Sequence, residues 1–153
     1  MKLLPFFVYG TLLPGQPNYE LWSESIVQHQ KAFFPNGRLY DLGAYPMLIE
    51  GSGGPIIGEF ATISEPDYEK IMLRLDTLEG YDPQLPEASD YQRREREIHL
   101  ASGNREIAWV YLGNELAAAE AILISSGDWA AYMVTKEQEI IEWWTQYRFG
   151  KME

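Results

Sequence analysis

The stretch FVYGTLLPG (residues 7–15) ends an apolar run on Tyr9 and breaks at once into Gly10. Residues 3–9 (LLPFFVY) have the continuous apolar character of a buried strand, and Pro5 pushes its first half toward an edge or an irregular path. Tyr9-Gly10-Thr11-Leu12 then reads in two ways. It is a turn that only reverses the chain, or a set of backbone N–H groups offered at a strand end to an anion or a carbonyl oxygen.

What the rest of the chain brings to that strand end decides between them. Residues 19–26 place Tyr19, Trp22 and Ile26 at spacings of three and four behind a possible Asn18 cap, which predicts a helix. Residues 31–42 (KAFFPNGRLYDL) predict two short strands about the turn Pro35-Asn36-Gly37. GAYPMLIEGSGGP, which follows, is rich in loop formers and is expected on the surface near an opening. IIGEFATI (56–63) alternates like a strand, and Ser64, Pro66 and Asp67 announce a helix running to about Leu78 and stopping at Gly80. DPQLPEASD (82–90) is an acidic loop.

Two strand-like runs, 91–102 and 105–113, are joined by Gly103-Asn104, a hairpin signal. A short helix is expected after Asn114. A final helix is expected from about Lys136, with Thr135 and Gln138 as capping box and Ile140, Trp144 and Tyr147 as buried stripe. Strands at the start, middle and late part of the chain, interrupted by helices and one hairpin, point to an α+β fold. A small mixed sheet or barrel with helices outside is expected.

Composition narrows the function. The 153 residues carry no internal repeat or polar linker, so 1–153 reads as a single domain. Twenty-three acidic against 12 basic residues give a net charge of -11, which argues against nucleic acid and against an anionic membrane surface as partners. There is no Cys and there are two isolated His, His29 and His99, which removes thiolate chemistry and leaves little for a metal. No metal and no cofactor are expected, and P-loop, GxGxxG and HExxH motifs are missing. The first segment is too short to span a membrane and lacks a cleavage pattern, so the expected compartment is the cytoplasm.

One acid stands out. In SEPDYEKIMLRLDTLEG, a rotation of about 100° per residue puts Tyr68, Ile71, Met72, Leu75 and Leu78 on one face, and Glu79 continues it. Burial raises a carboxylate's pKa, so Glu79 is a hydrogen-bonded strut, an acid that a frayed last turn lets swing into water, or a working acid/base. Asp76 falls at the stripe's edge and is expected in solvent. Arg93, Arg94 and Arg96 read as a solvated face of an alternating strand, pairing with the chain's excess acid.

In this order and spacing, FVYGTLLPGQPNY, LYDLGAYPML, LDTLEGYD, YQRREREI, AWVYL and SGDW resemble the γ-glutamylcyclotransferase-like family, from about Phe7 to about Trp129. The resemblance implies a small β-barrel with surrounding helices. It also implies a reaction in which a γ-glutamyl amide cyclises to 5-oxoproline and releases its amine. By motif match it assigns Glu79 as the acid/base and Tyr9, Gly10, Thr11 and Leu12 as the loop holding the glutamyl group, with Trp129 lining the pocket. Leu13, where many relatives carry Arg, and the longer 82–90 loop both bear on substrate choice. The small-molecule leaving group stays open among amino acids, amines and larger modified amines; the net charge favours a cationic or neutral one. Two other readings stay open: a binding module for an amino-acid-like ligand, and a hydrolase releasing glutamate.

Overall fold

The computed structural model describes residues 3–149, without the side chains of Arg148 and Phe149. Its strands are β1 (Phe6–Val8), β2 (Ile26–Asp41), β3 (Pro46–Glu50), β4 (Gly54–Ile63), β5 (Gln92–Leu100), β6 (Arg105–Leu112) and β7 (Ile122–Leu123). The helices are α1 (Tyr68–Glu79) and α2 (Trp129–Trp144), the latter continued by a π turn over Thr145–Phe149.

The strands follow the order β3-β2-β4-β1-β6-β5, and β2 also pairs with β5. That last pairing closes β2, β4, β1, β6 and β5 into a five-stranded barrel, which leaves those strands no open edge along the ring. All pairings are antiparallel except β1 with β6, so the barrel is mixed, as expected. β1 alternates as a strand must. Phe7 points into a cluster with Ala32, Phe34, Ile98, Ala108 and Val110 from the other barrel strands, while Phe6 and Val8 pack on the opposite side against Ile71 and Leu75 of α1.

Several local expectations give way to tertiary pairing. Residues 31–42 form one strand, not two: β2 runs through Pro35-Asn36-Gly37 with a register shift between Phe34 and Gly37. Proline cannot donate to a ladder, and a bulge absorbs it. Past the bulge β2 changes neighbours, pairing with β3 from Gly37 to Asp41. Its partner, PMLIE, comes from the segment expected to be loop; Met47, Leu48 and Ile49 are buried there. The helix expected over 19–26 is two 3-10 turns, Tyr19–Leu21 and Ser23–Ser25, after which Ile26 starts β2. The Trp22 indole N–H donates to the Leu12 carbonyl at 3.0 Å, so this segment serves the Tyr9–Leu12 loop.

After Asn114 there are turns in place of a helix, with Asn114 Oδ1 accepting from the Ala117 N–H at 2.9 Å. α2 begins at Trp129, seven residues before the expected start. Asp128 is the cap that decides this, its Oδ1 accepting from the Ala131 N–H at 3.1 Å. The stripe Ile140, Trp144 and Tyr147 is exposed, not buried. The hairpin through Gly103-Asn104 forms as expected, pairing Gln92–His99 with Arg105–Leu112. Among the described residues no helix is long and apolar enough to cross a membrane.

Candidate active site

β1 delivers the Tyr9–Leu12 loop to a pocket with about 350 Å³ of empty space, open solvent included. Tyr9, Gly10, Thr11 and Leu12 all line it, together with Phe7, Val8, Tyr45, Pro46, Tyr111 and Glu79. The two halves singled out in the sequence, 67 residues apart, therefore meet in one place.

The loop is held by its carbonyls. The Gly10 carbonyl accepts from the Leu13 N–H at 3.0 Å, that of Thr11 from the Asn18 N–H at 2.9 Å, and that of Leu12 from Trp22. Asn18 Nδ2 adds a bond to Thr11 Oγ1 at 2.9 Å. Among the described residues the N–H groups of Gly10, Thr11 and Leu12 have no acceptor. A turn with three unspent donors beside a cavity has the groups that binding an anion or oxyanion requires. Gly10 is required by packing: a Cβ there would lie 2.5 Å from Pro46 Cγ.

Glu79 is the last residue of α1. Gly80 follows in the left-handed region (φ 68°), and its N–H closes on the Asp76 and Thr77 carbonyls, which ends the helix with Glu79 at the cavity wall. The carboxylate is only partly exposed, and among the described residues it accepts no hydrogen bond and pairs with no cation. Burial, followed by the negative charge of Asp76, raises its pKa from 4.5 to about 7. The partial negative charge at a helix C-terminus acts in the same direction. A carboxyl group held near neutrality can accept a proton and return it.

The sequence reading puts Asp76 and Arg93 in solvent; Asp76 is buried, and the Arg93 side chain is only 11% exposed. Arg93 reaches Asp76 with two bonds, Nε to Oδ1 at 2.8 Å and Nη2 to Oδ2 at 3.2 Å, and the Tyr111 hydroxyl donates to Oδ1 at 2.6 Å. The guanidinium also stacks 4.5 Å from the Trp109 ring centroid. Arg96 does stay on the outside, paired with Glu50. The chain of contacts continues into the cavity, where the Tyr9 hydroxyl donates to the Tyr111 carbonyl at 2.5 Å. Desolvation pushes the Tyr9 phenol well above its usual pKa, so it stays a neutral donor.

The sequence reading missed Tyr45, Pro46, Tyr91 and Tyr111. The Tyr91 hydroxyl donates to the Pro46 carbonyl at 2.8 Å and so ties β3 to the rim of the acidic loop. Each lies within a stretch quoted above, Tyr45 and Pro46 in LYDLGAYPML, Tyr91 in YQRREREI and Tyr111 in AWVYL, without being singled out there. Trp129 is not among the residues lining the cavity. It is 1% exposed in the barrel-interior cluster, and its indole N–H donates to Gln16 Oε1 at 3.2 Å. Among the described residues no group of three or more His, Asp and Glu is placed to hold a metal ion.

A barrel whose strand-end loop faces an isolated glutamate defines a class, and comparison with known proteins gives it a name. Residues 6–131 match the profile of the family described as gamma-glutamyl cyclotransferase, AIG2-like, and the chain belongs to that family. A protein of Vibrio cholerae provisionally named a gamma-glutamylcyclotransferase is 35% identical over 123 residues, covering 80% of this chain and 92% of the relative. The gamma-L-glutamyl-butirosin B gamma-glutamyl cyclotransferase of Niallia circulans is 30% identical, covering 89% and 81%.

Among solved structures, YkqA from Bacillus subtilis superposes with a TM-score of 0.64 at 25% identity, covering 88% of this chain; the match spans 42% of YkqA, under half its length. An AIG2-like protein from Mus musculus gives 0.58 at 24% identity, covering 73% of this chain and 78% of its own, a likeness of fold.

Proposed function

We propose that the protein is a cyclotransferase that converts a γ-glutamyl amide to 5-oxoproline and a free amine. The observation that carries this reading is Glu79, an unpaired carboxylate with a pKa near neutrality, facing three unspent loop N–H groups across one cavity. The names of the family and of its relatives agree with it.

The chemistry suits the residues. The substrate's own α-amine attacks the side-chain carbonyl carbon, so no nucleophile, metal or cofactor is demanded of the protein. What the protein must do is fold the glutamyl group into the reactive geometry, and a closed loop over a rigid strand end does that. An ammonium cannot attack, so the α-amine reacts in its neutral form after losing its ammonium proton to solvent. Ionised Glu79 takes a second proton from that nitrogen as the new carbon–nitrogen bond forms, and the N–H groups of Gly10, Thr11 and Leu12 supply donors for the substrate's carboxylate or for charge building on the carbonyl oxygen. Glu79 then gives the proton to the amide nitrogen as its bond to carbon breaks. One proton passes from the attacking to the leaving nitrogen, and no water is consumed.

Glu79→Gln keeps the shape and removes the base. Release of 5-oxoproline from γ-glutamyl amides is expected to fall about 1000-fold, within the range for loss of a general acid/base. Turnover by this variant near the wild-type rate would sink the assignment. Release of glutamate in place of 5-oxoproline would make the protein a hydrolase.

A further inference from the structure

Glu79 has a second face. On the side away from Tyr111 it borders a larger, open groove, whose lining includes Asn18, Leu78, Asp90 and Tyr91. Thr11, Tyr45 and Glu79 line both spaces, so the two are joined at the acid that would return a proton to the leaving nitrogen. If the glutamyl group fills the smaller cavity, the departing amine extends into the groove.

The groove's wall is chemically uneven. Near Glu79 the Tyr45 and Tyr91 rings lie 6.4 Å apart, and Leu78 remains part-exposed beside them, a surface that suits methylenes. Burial and then the charge of Glu79 hold the Tyr91 phenol neutral. The loop 82–90 supplies Asp90. Its carbonyl accepts from Asn114 Nδ2 at 3.0 Å, which fixes the backbone, while its carboxylate has no hydrogen bond and no ion pair among the described residues. Asp90 is exposed, and no Lys or Arg lines the groove beside it.

We propose that this groove is the leaving-amine site and that Asp90 makes the enzyme prefer amines carrying a second positive charge, with the aromatic pair covering the chain between the two nitrogens. This rests on the cyclotransferase reading above. It adds a specificity residue to it.

The test compares kcat/KM for 5-oxoproline release from two synthetic amides of equal length, γ-glutamyl-1,5-diaminopentane and γ-glutamylhexylamine. The expected preference for the diamine at low salt is about threefold to fivefold, the range for one exposed ion pair, and it shrinks as salt is added. Asp90→Asn should bring the ratio near one. Glu87→Gln removes the same charge from the same loop outside the groove and should leave the ratio as it is, which separates a local contact from the field of an acidic protein. No preference in the wild type, or a preference untouched by Asp90→Asn, overturns the proposal.

Calorimetric binding of both amides to Glu79→Gln, with and without Asp90→Asn, keeps the two readings apart. If neither amide yields 5-oxoproline in the wild type, the cyclotransferase reading fails by itself. The binding ratio then decides the groove: a diamine preference lost with Asp90→Asn sustains the site, and no such preference overturns it.

Discussion

Asp76 and Glu79 sit one turn apart on α1, and their surroundings are opposite. Asp76 is buried with every contact a carboxylate wants, two bonds from Arg93 and one from Tyr111. Glu79 is half-buried with none among the described residues, in an open cavity. The first arrangement makes a strut that fastens α1 to β5 and β6. The second keeps a carboxylate poised, at a cost to the fold, and Asp76 adds to that cost by raising the pKa of its neighbour. Placement relative to β5, one turn of helix, separates the structural acid from the acid proposed to work.

Three substitutions set the two sides against each other. The largest effect on stability is expected from Arg93→Ala, which strands Asp76 as a buried unpaired charge and removes the stack on Trp109; about 3 kcal/mol should be lost in urea unfolding. A loss under about 1 kcal/mol would mean that the pair is no strut.

Glu79→Gln should move stability the other way, and only at the right pH. Below about pH 4.5 the carboxyl is protonated in both folded and unfolded chains, and it contributes no pH dependence. Between about 4.5 and 7 the unfolded chain ionises first, so the native state is progressively disfavoured. Above about 7 the penalty is complete, on the order of 3 kcal/mol from the raised pKa. The variant lacks this penalty. It should match the wild type near pH 4 and exceed it by up to about 3 kcal/mol at pH 8; equal unfolding curves at both values would remove the strained-acid account.

Trp129→Phe is expected to be the mildest. It loses the indole bond to Gln16, worth about 1 kcal/mol of stability, and since Trp129 is outside the cavity lining, kcat/KM should change less than twofold. A tenfold fall would put Trp129 in contact with the substrate after all.

Much of this site was legible because its signals are local. Helical period alone set Glu79 on the face of Ile71 and Leu75, and Gly80 marked the end of α1. An apolar run into Gly10 marked the strand end. The hairpin through Gly103-Asn104 was equally local. The failures share a cause. The periodicity of residues 19–26 was outweighed by bonds such as Trp22 to Leu12, and the turn signal at Pro35-Asn36-Gly37 became a bulge because β3 and β4 were both there to pair with β2. Asp76 looked solvated because its partners lie 17 and 35 residues away on another part of the barrel.

By itself, then, the sequence determined which pieces could serve: a glycine turn after a strand, an acid on an apolar helix face, a chain without thiols and with excess negative charge. The tertiary structure alone decided that the turn's N–H groups remain unspent and that Asp76 is satisfied while Glu79 is not. It also decided that Tyr45 borders two cavities, with Tyr91 and Asp90 lining the larger one. Backbone conformation follows from neighbours a few residues away, whereas solvation and partner choice are set by groups brought together only when the barrel closes.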